Sequence, residues 1–197
     1  MFLKTAPSSG AATLRGEAER LTWLEGKVPA PSLIDFFEDA SGAYLLMSAV
    51  PGTALIAYNH EESGVRRRMA ALLGKALRSL HAVDISGRAF SDAREGGTER
   101  RFEADFGRFD DKKIAILRDV QSRLPPLAKE VLAHGDPCLP NVLVMDDELS
   151  GFVDVGNAGV GDPYRDLALA LWSLEYNYGV GLDETFLEAY LSEVGLQ

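Results

Sequence analysis

Apolar residues recur along the chain with two periods. Over residues 11–26, Leu14, Ala18, Leu21 and Leu24 fall three or four positions apart, a spacing that lines one face of a helix. Over residues 64–83, Val65, Met69, Leu72, Leu73, Ala76 and Leu80 make a second stripe, with Arg66, Arg67, Arg68, Lys75 and Arg78 mainly off it. That basic run reads as a solvated helix face. A third helix is predicted from Asp162-Pro163 through Leu167, Ala168, Leu171 and Leu174, with the proline in the first turn, where its missing N–H costs nothing. A fourth begins at Asp183, read as its N-cap, and runs through Phe186, Leu187, Tyr190 and Leu191 towards Gly195. Shorter apolar runs predict strands at residues 1–5, at Leu33, Ile34 and Phe36, and at residues 44–47 after a turn over 39–42. Val142, Leu143 and Val144 form one further strand and Phe152, Val153 and Val155 another, joined by the polar stretch 146–151. Residues 85–103 are irregular and glycine-rich, and a short helix is expected over 106–123, ended by Leu124-Pro125-Pro126.

Composition narrows the class. The 197 residues are 46% hydrophobic and a quarter charged, which is enough to bury a core and too apolar for a disordered chain. A formal net charge of −10 and a pI near 4.8 argue against nucleic acid as a partner and suit a cationic small substrate. Cys138 is the single cysteine, so no intrachain disulfide forms. His60, His81 and His134 lack the spacing of zinc ligands. No apolar run is long enough for a signal peptide or a membrane span, and the expected compartment is the cytoplasm. No P-loop pattern occurs, and Gly74-Lys75 lies inside a helix.

The chemistry-bearing stretch is 134–166, HGDPCLPNVLVMDDELSGFVDVGNAGVGDPYRD. The predicted hairpin sets Asn141 beside Asp154 at its open end, with Asp136 just upstream. A carboxylate and an amide at one mouth suit Mg²⁺, which takes its other ligands from phosphate and water. A second carboxylate off the metal can accept a proton from an attacking hydroxyl. That division of labour is the template of phosphoryl transfer. Taken singly, each of these residues reads equally well as a turn former; it is the ordered set that points to chemistry.

His134-Gly135-Asp136 with Cys138-Leu139-Pro140-Asn141, then Phe152-Val153-Asp154-Val155-Gly156, then Asp162-Pro163-Tyr164-Arg165-Asp166-Leu167-Ala168, strongly resembles the aminoglycoside phosphotransferases, and among them the 3′-phosphotransferases. The resemblance runs from residue 4 to about 192. It implies an α/β (α+β) protein-kinase-like fold of two lobes, a reduced nucleotide-binding lobe and hinge over residues 1–50 and a mostly helical lobe over 51–197. It implies ATP or GTP and Mg²⁺, and transfer of a γ-phosphoryl group to a hydroxyl of an aminoglycoside, the reaction of antibiotic resistance. By the resemblance Asp136 is the catalytic base, Asn141 and Asp154 are the metal ligands, and Asp166 is the buried anchor of the catalytic loop. Lys4 steadies the nucleotide phosphates, paired with Glu17 on the following helix, and the backbone of Ser48, Ala49 and Val50 faces the adenine. Asp162 either faces the cationic acceptor or caps its own helix. Leu80-His81 resembles a further family feature, although a histidine at a helix end is more often structural.

The sequence departs from the family in three places. Only three residues precede Lys4, so a strand-loop-strand covering the phosphates is expected to be missing. The chain stops at Gln197, short of the helices whose acidic residues bind aminoglycoside amines in relatives, and Asn157 stands where many relatives carry arginine. The expectation is therefore slow or undetectable transfer by this chain alone. Two rival readings follow: a small-molecule kinase with another acceptor, such as choline or a macrolide, and a catalytically silent relative that binds nucleotide.

Overall fold

The computed structural model describes residues 1–58, 61–87 and 130–192. The helix expected over 106–123, most of the irregular stretch 85–103, His60 and Gly195 lie outside the described residues. Strand β1 (Phe2–Ala6) is followed by helix α1 (Ala11–Leu24) and by the hairpin of β2 (Leu33–Asp39) and β3 (Gly42–Met47). The three strands pair antiparallel in the order β1-β3-β2, with Lys4 opposite Leu45. Alternation along β3 sends Ala43, Leu45 and Met47 into the core, where they join the Leu14, Ala18, Leu21 and Leu24 stripe of α1. The helix ends two residues before the predicted limit. Gly26 adopts φ +72°, and the amides of Lys27 and Val28 turn back to the Leu24 carbonyl, a left-handed helix stop.

A second antiparallel sheet has the order β4-β6-β7, built from β4 (Thr53–Ala54), β6 (Val142–Met145) and β7 (Glu148–Phe152). Here the structure corrects the sequence reading. The connection is only Asp146-Asp147, both at positive φ (54° and 60°), and β7 begins at Glu148. Two consecutive left-handed residues make the tight turn that matches strand twist, and Asp tolerates that conformation. Val153 and Asp154 therefore lie past the end of the strand, and Val155 belongs to a 3₁₀ turn. Strand β5 (Val131–Ala133) pairs antiparallel with β8 (Gly159–Gly161), which sets the loop after β5 beside the segment that leads into the next helix.

The remaining helices among the described residues are α2 (Ser63–His81), α3 (Pro163–Tyr178) and α4 (Asp183–Leu191). Helix α2 packs against α4 at Gly74, where a Cβ would lie 2.4 Å from the Phe186 carbonyl oxygen. Glycine is there for close approach, and the crossing accounts for the residue that a P-loop does not. Asp183 is the first helical residue of α4 and caps nothing; the cap position is Leu182. Among the described residues, buried side chains from the three sheets and from α1 to α4 form one contiguous cluster, from Leu14 to Phe186. Among the described residues, no helix is long and apolar enough to cross a membrane.

Candidate active site

The loop that follows β5 carries His134, Gly135 and Asp136, and Asp166 holds its backbone. Asp166 is wholly buried in the first turn of α3, and its two carboxylate oxygens accept from His134 N (2.6 Å) and Gly135 N (3.0 Å). Gly135 sits at φ +83°, and a Cβ there would fall 2.4 Å from the Asn157 carbonyl oxygen. A side chain is therefore excluded twice, by conformation and by contact. His134 is buried and bridges forward: Asp136 N–H faces its Nδ1 at 3.3 Å, while Nε2 lies 3.1 Å from the Val153 carbonyl. These partners assign the neutral tautomer with the proton on Nε2. Burial lowers the His134 pKa from its ordinary 6.5, against the opposing pull of Asp166 and Asp136. The neutral ring thus ties the loop of Asp136 to the residue before Asp154.

Asp136 is half-buried, and both of its oxygens are engaged from the same loop. Cys138 Sγ donates to Oδ1 at 3.0 Å, and Asn141 Nδ2 lies 3.3 Å from Oδ2 and 3.0 Å from the backbone carbonyl of Asp136. The carboxylate is oriented without being sealed from solvent. Burial, then the bond to Asp136, pushes the Cys138 thiol up to about 12, so it remains a donor and not a thiolate. The loop is pinned further by Ser173 of α3, whose buried hydroxyl accepts from Leu139 N at 3.0 Å.

Asn141 immediately precedes β6 and Asp154 follows β7. Val142 pairs with Phe152, and Val153 N donates to the Asn141 carbonyl at 3.0 Å, so the two residues stand side by side at the open end of the hairpin. Asn141 spends its amide nitrogen on Asp136, which turns its carbonyl oxygen to other work. Asp154 takes the left-handed conformation, φ 58° and ψ 48°, one of few non-glycine residues that do so at modest cost. Lys4 reaches across from β1: its Nζ lies 2.6 Å from Glu17 Oε1 and 2.7 Å from Asp154 Oδ1. Glu17 is buried while Asp154 is exposed, so the lysine bridges core and mouth. Burial pulls the Lys4 ammonium down, but the bonds and charges of Asp154 and Glu17 outweigh it and leave the pKa above its usual 10.5. Among the described residues, no three His, Cys, Asp or Glu side chains converge as a metal cage. One carboxylate beside one amide oxygen is the sparse protein donor set from which Mg²⁺ makes up its shell with phosphate and water.

The other expected site residues divide. Ser48 is spoken for: its amide donates to the Ser32 carbonyl at 3.0 Å and its hydroxyl accepts from Ser32 N at 2.8 Å. The Ser48 carbonyl and the backbones of Ala49 and Val50 take no part in these bonds. Asp162 caps α3, accepting from Tyr164 N at 2.9 Å, which favours the capping alternative. Asn157 is exposed and packs its backbone on Gly135.

Residues 1–196 match the phosphotransferase enzyme family. The chain belongs to that family. It is 35% identical to an aminoglycoside 3′-phosphotransferase of Niallia circulans, over 99% of this chain and 76% of the relative. The phosphotransferase fold is similar to that of a crystallised aminoglycoside 3′-phosphotransferase of type VIII, with a TM-score of 0.72 at 31% identity, covering 96% of this chain and 76% of the other. A Streptomyces rimosus aminoglycoside phosphotransferase solved with ADP and streptomycin gives 0.70 at 25% identity, over 96% and 84% of the two chains. The protein-kinase-like arrangement expected from the motifs is thereby established, with its small sheet ahead of a helical part.

Several residues that brace the candidate site carry no motif of their own. Arg20 on α1 donates from Nε to the Ala158 carbonyl and from Nη1 to the Gly16 carbonyl at 2.8 Å, which fastens the helix of Glu17 to the turn that follows Asp154. Ser173 and Tyr190 make contacts of comparable range, Tyr190 with His81, which the likeness of Leu80-His81 to a family feature already marks. Such contacts join residues 34 to 138 positions apart and leave no local spacing to find.

Proposed function

We propose that this protein transfers the γ-phosphoryl group of ATP to a hydroxyl of an aminoglycoside, with Asp136 as base, Asn141 and Asp154 as Mg²⁺ ligands, and Lys4, held by Glu17, on the nucleotide phosphates. The observation that carries the reading is the Glu17–Lys4–Asp154 chain, which ties the small sheet to the metal hairpin a few residues from Asp136. Asp136 accepts the hydroxyl proton; the freed oxygen bonds to the γ-phosphorus as the β–γ bridge breaks and ADP departs. Cys138 and Asn141 aim the Asp136 carboxylate, and Asp166 fixes the peptide that carries it. Mg²⁺, when bound, offsets charge on the phosphates and aligns them. Asp154 would share in holding the cation, and Lys4, fixed by Glu17, would serve the phosphates beside it. The division into a nucleotide lobe over residues 1–50 and a catalytic lobe over 51–197 belongs to the same reading, with Ala49 and Val50 offering backbone groups to the base.

The acceptor class is tested by coupling ADP release to a panel of kanamycin, streptomycin, a macrolide and choline. Turnover on an aminoglycoside well above the rest supports the reading. Preference for choline or the macrolide replaces the acceptor while keeping Asp136 in its role. ADP release on none of them, with nucleotide still bound, supports the silent relative.

A further inference from the structure

Beyond Asp166 the buried polar side chains continue into elements that the proposed chemistry leaves unused. His81, the last residue of α2, is buried, and its Nε2 lies 3.3 Å from Asp166 Oδ2. Its Nδ1 lies 2.9 Å from the hydroxyl of Tyr190 on α4, and the two rings meet edge-on with centroids 5.6 Å apart. Burial pushes the Tyr190 phenol up, so it keeps its proton and donates. An Asp166 carboxylate that accepts requires the proton on Nε2, and Nδ1 then accepts from Tyr190; all three groups are satisfied by one tautomer. The approach of α4 that makes this possible depends on Gly74, where a Cβ would lie 3.0 Å from Tyr190 N.

We propose that His81 and Tyr190 are positioning residues for phosphotransfer: Tyr190 fixes the His81 tautomer, His81 fixes the Asp166 carboxylate, and Asp166 holds the His134–Gly135 backbone that carries Asp136. The proposal rests on Asp136 as the base. A buried histidine with two partners is more often a stabilising residue than anything else. Two features separate this one. Its Nε2 shares the very oxygen, Oδ2, that accepts from His134 N, and its other nitrogen is locked from a different helix.

The test uses the full chain with Tyr190→Phe, which removes one hydroxyl and keeps the ring, and His81→Gln, which keeps an N–H for Asp166. Amide hydrogen exchange is followed residue by residue by NMR. In Tyr190→Phe, exchange at His134 and Gly135 is expected to rise about fivefold, the scale of one neutral hydrogen bond, while Leu143 and Val144 of β6 keep their rates. Added to His81→Gln, Tyr190→Phe should change nothing further, because it acts through the imidazole. In turnover, kcat should fall about fivefold with KM for ATP unchanged. Unchanged exchange at His134 and Gly135, or a rise shared equally by β6, overturns the proposal. The exchange result decides the relay whether or not the chain turns over. Selective exchange in a chain that transfers no phosphate leaves the relay standing and removes the phosphotransfer reading instead.

Discussion

Replacing Asp166 with alanine removes one acceptor from three buried donors at once. His134 N, Gly135 N and His81 Nε2 point at its two oxygens from 2.6, 3.0 and 3.3 Å, and Asp166 is 0% exposed. A buried donor left unsatisfied costs about 1–3 kcal/mol, so the sum lies at about 3–9 kcal/mol. The lower half applies where water enters the cavity and replaces part of what is lost. We expect about 4 kcal/mol, a factor of about a thousand in the folding equilibrium and a large share of the roughly 5–15 kcal/mol that holds a domain together. For a chain of this size that lowers the melting temperature by about 8–16 °C. Asp166→Asn keeps one acceptor oxygen and should lose about half as much. Thermal and urea melts of the three proteins, read by circular dichroism, measure both. Turnover is then compared at a temperature where each variant is folded, and the alanine variant is expected to fall at least about tenfold in kcat. An Asp166→Ala protein that melts within about 2 °C of wild type would refute the reasoning, because the carboxylate would then not be what holds the loop.

Three further outcomes follow from the same geometry. Gly135→Ala places a Cβ 2.4 Å from a backbone oxygen at φ +83°; a loss of at least about 3 kcal/mol is expected in urea melts, and a neutral substitution contradicts the close approach to Asn157. His134 is buried with its pKa depressed, so the unfolded chain binds a proton that the folded one refuses. Stability should therefore fall as pH drops through 6.5, and in His134→Gln that part of the pH slope should vanish; equal slopes in both proteins count against a neutral bridging ring. With its thiol pushed to about 12 from the usual 9.0, Cys138 should react with iodoacetamide at pH 8 at least about a hundredfold more slowly than a free peptide thiol. Asp136→Asn should recover part of that rate, and labelling of the wild type as fast as glutathione sinks the Cys138–Asp136 bond.

Much of the fold was legible because its helices are amphipathic and their stripes are clean. Leu14, Ala18, Leu21 and Leu24 are all buried, as are Met69, Leu72, Leu73, Ala76 and Leu80. Most of the candidate site was legible because Asp136, Asn141, Asp154 and Asp166 fall in order within one stretch, 134–166, while Lys4 and Glu17 come from the start of the chain. What escaped was set by backbone conformation or by contacts far apart in the chain. The polar run 146–151 predicts a six-residue loop, whereas the positive φ of Asp146 and Asp147 makes a two-residue turn and starts β7 at Glu148. The bonds of the Ser48 amide and hydroxyl to Ser32, sixteen positions earlier, have no local spacing to mark them. Asp183 had the composition of a cap, and the helix simply starts one residue sooner. Tyr190 fits an ordinary helix, and only the crossing at Gly74 brings it to His81.

The most direct test of the central claim is mass spectrometry of kanamycin incubated with this chain and Mg-ATP, beside Asp136→Ala and a reaction with the metal chelated. The account predicts kanamycin heavier by one phosphoryl group with the wild type and metal, and unchanged kanamycin in both controls. Phosphorylation that persists in Asp136→Ala at the wild-type rate would contradict the assignment of the base, and with it the way the loop, the hairpin and Lys4 are read together.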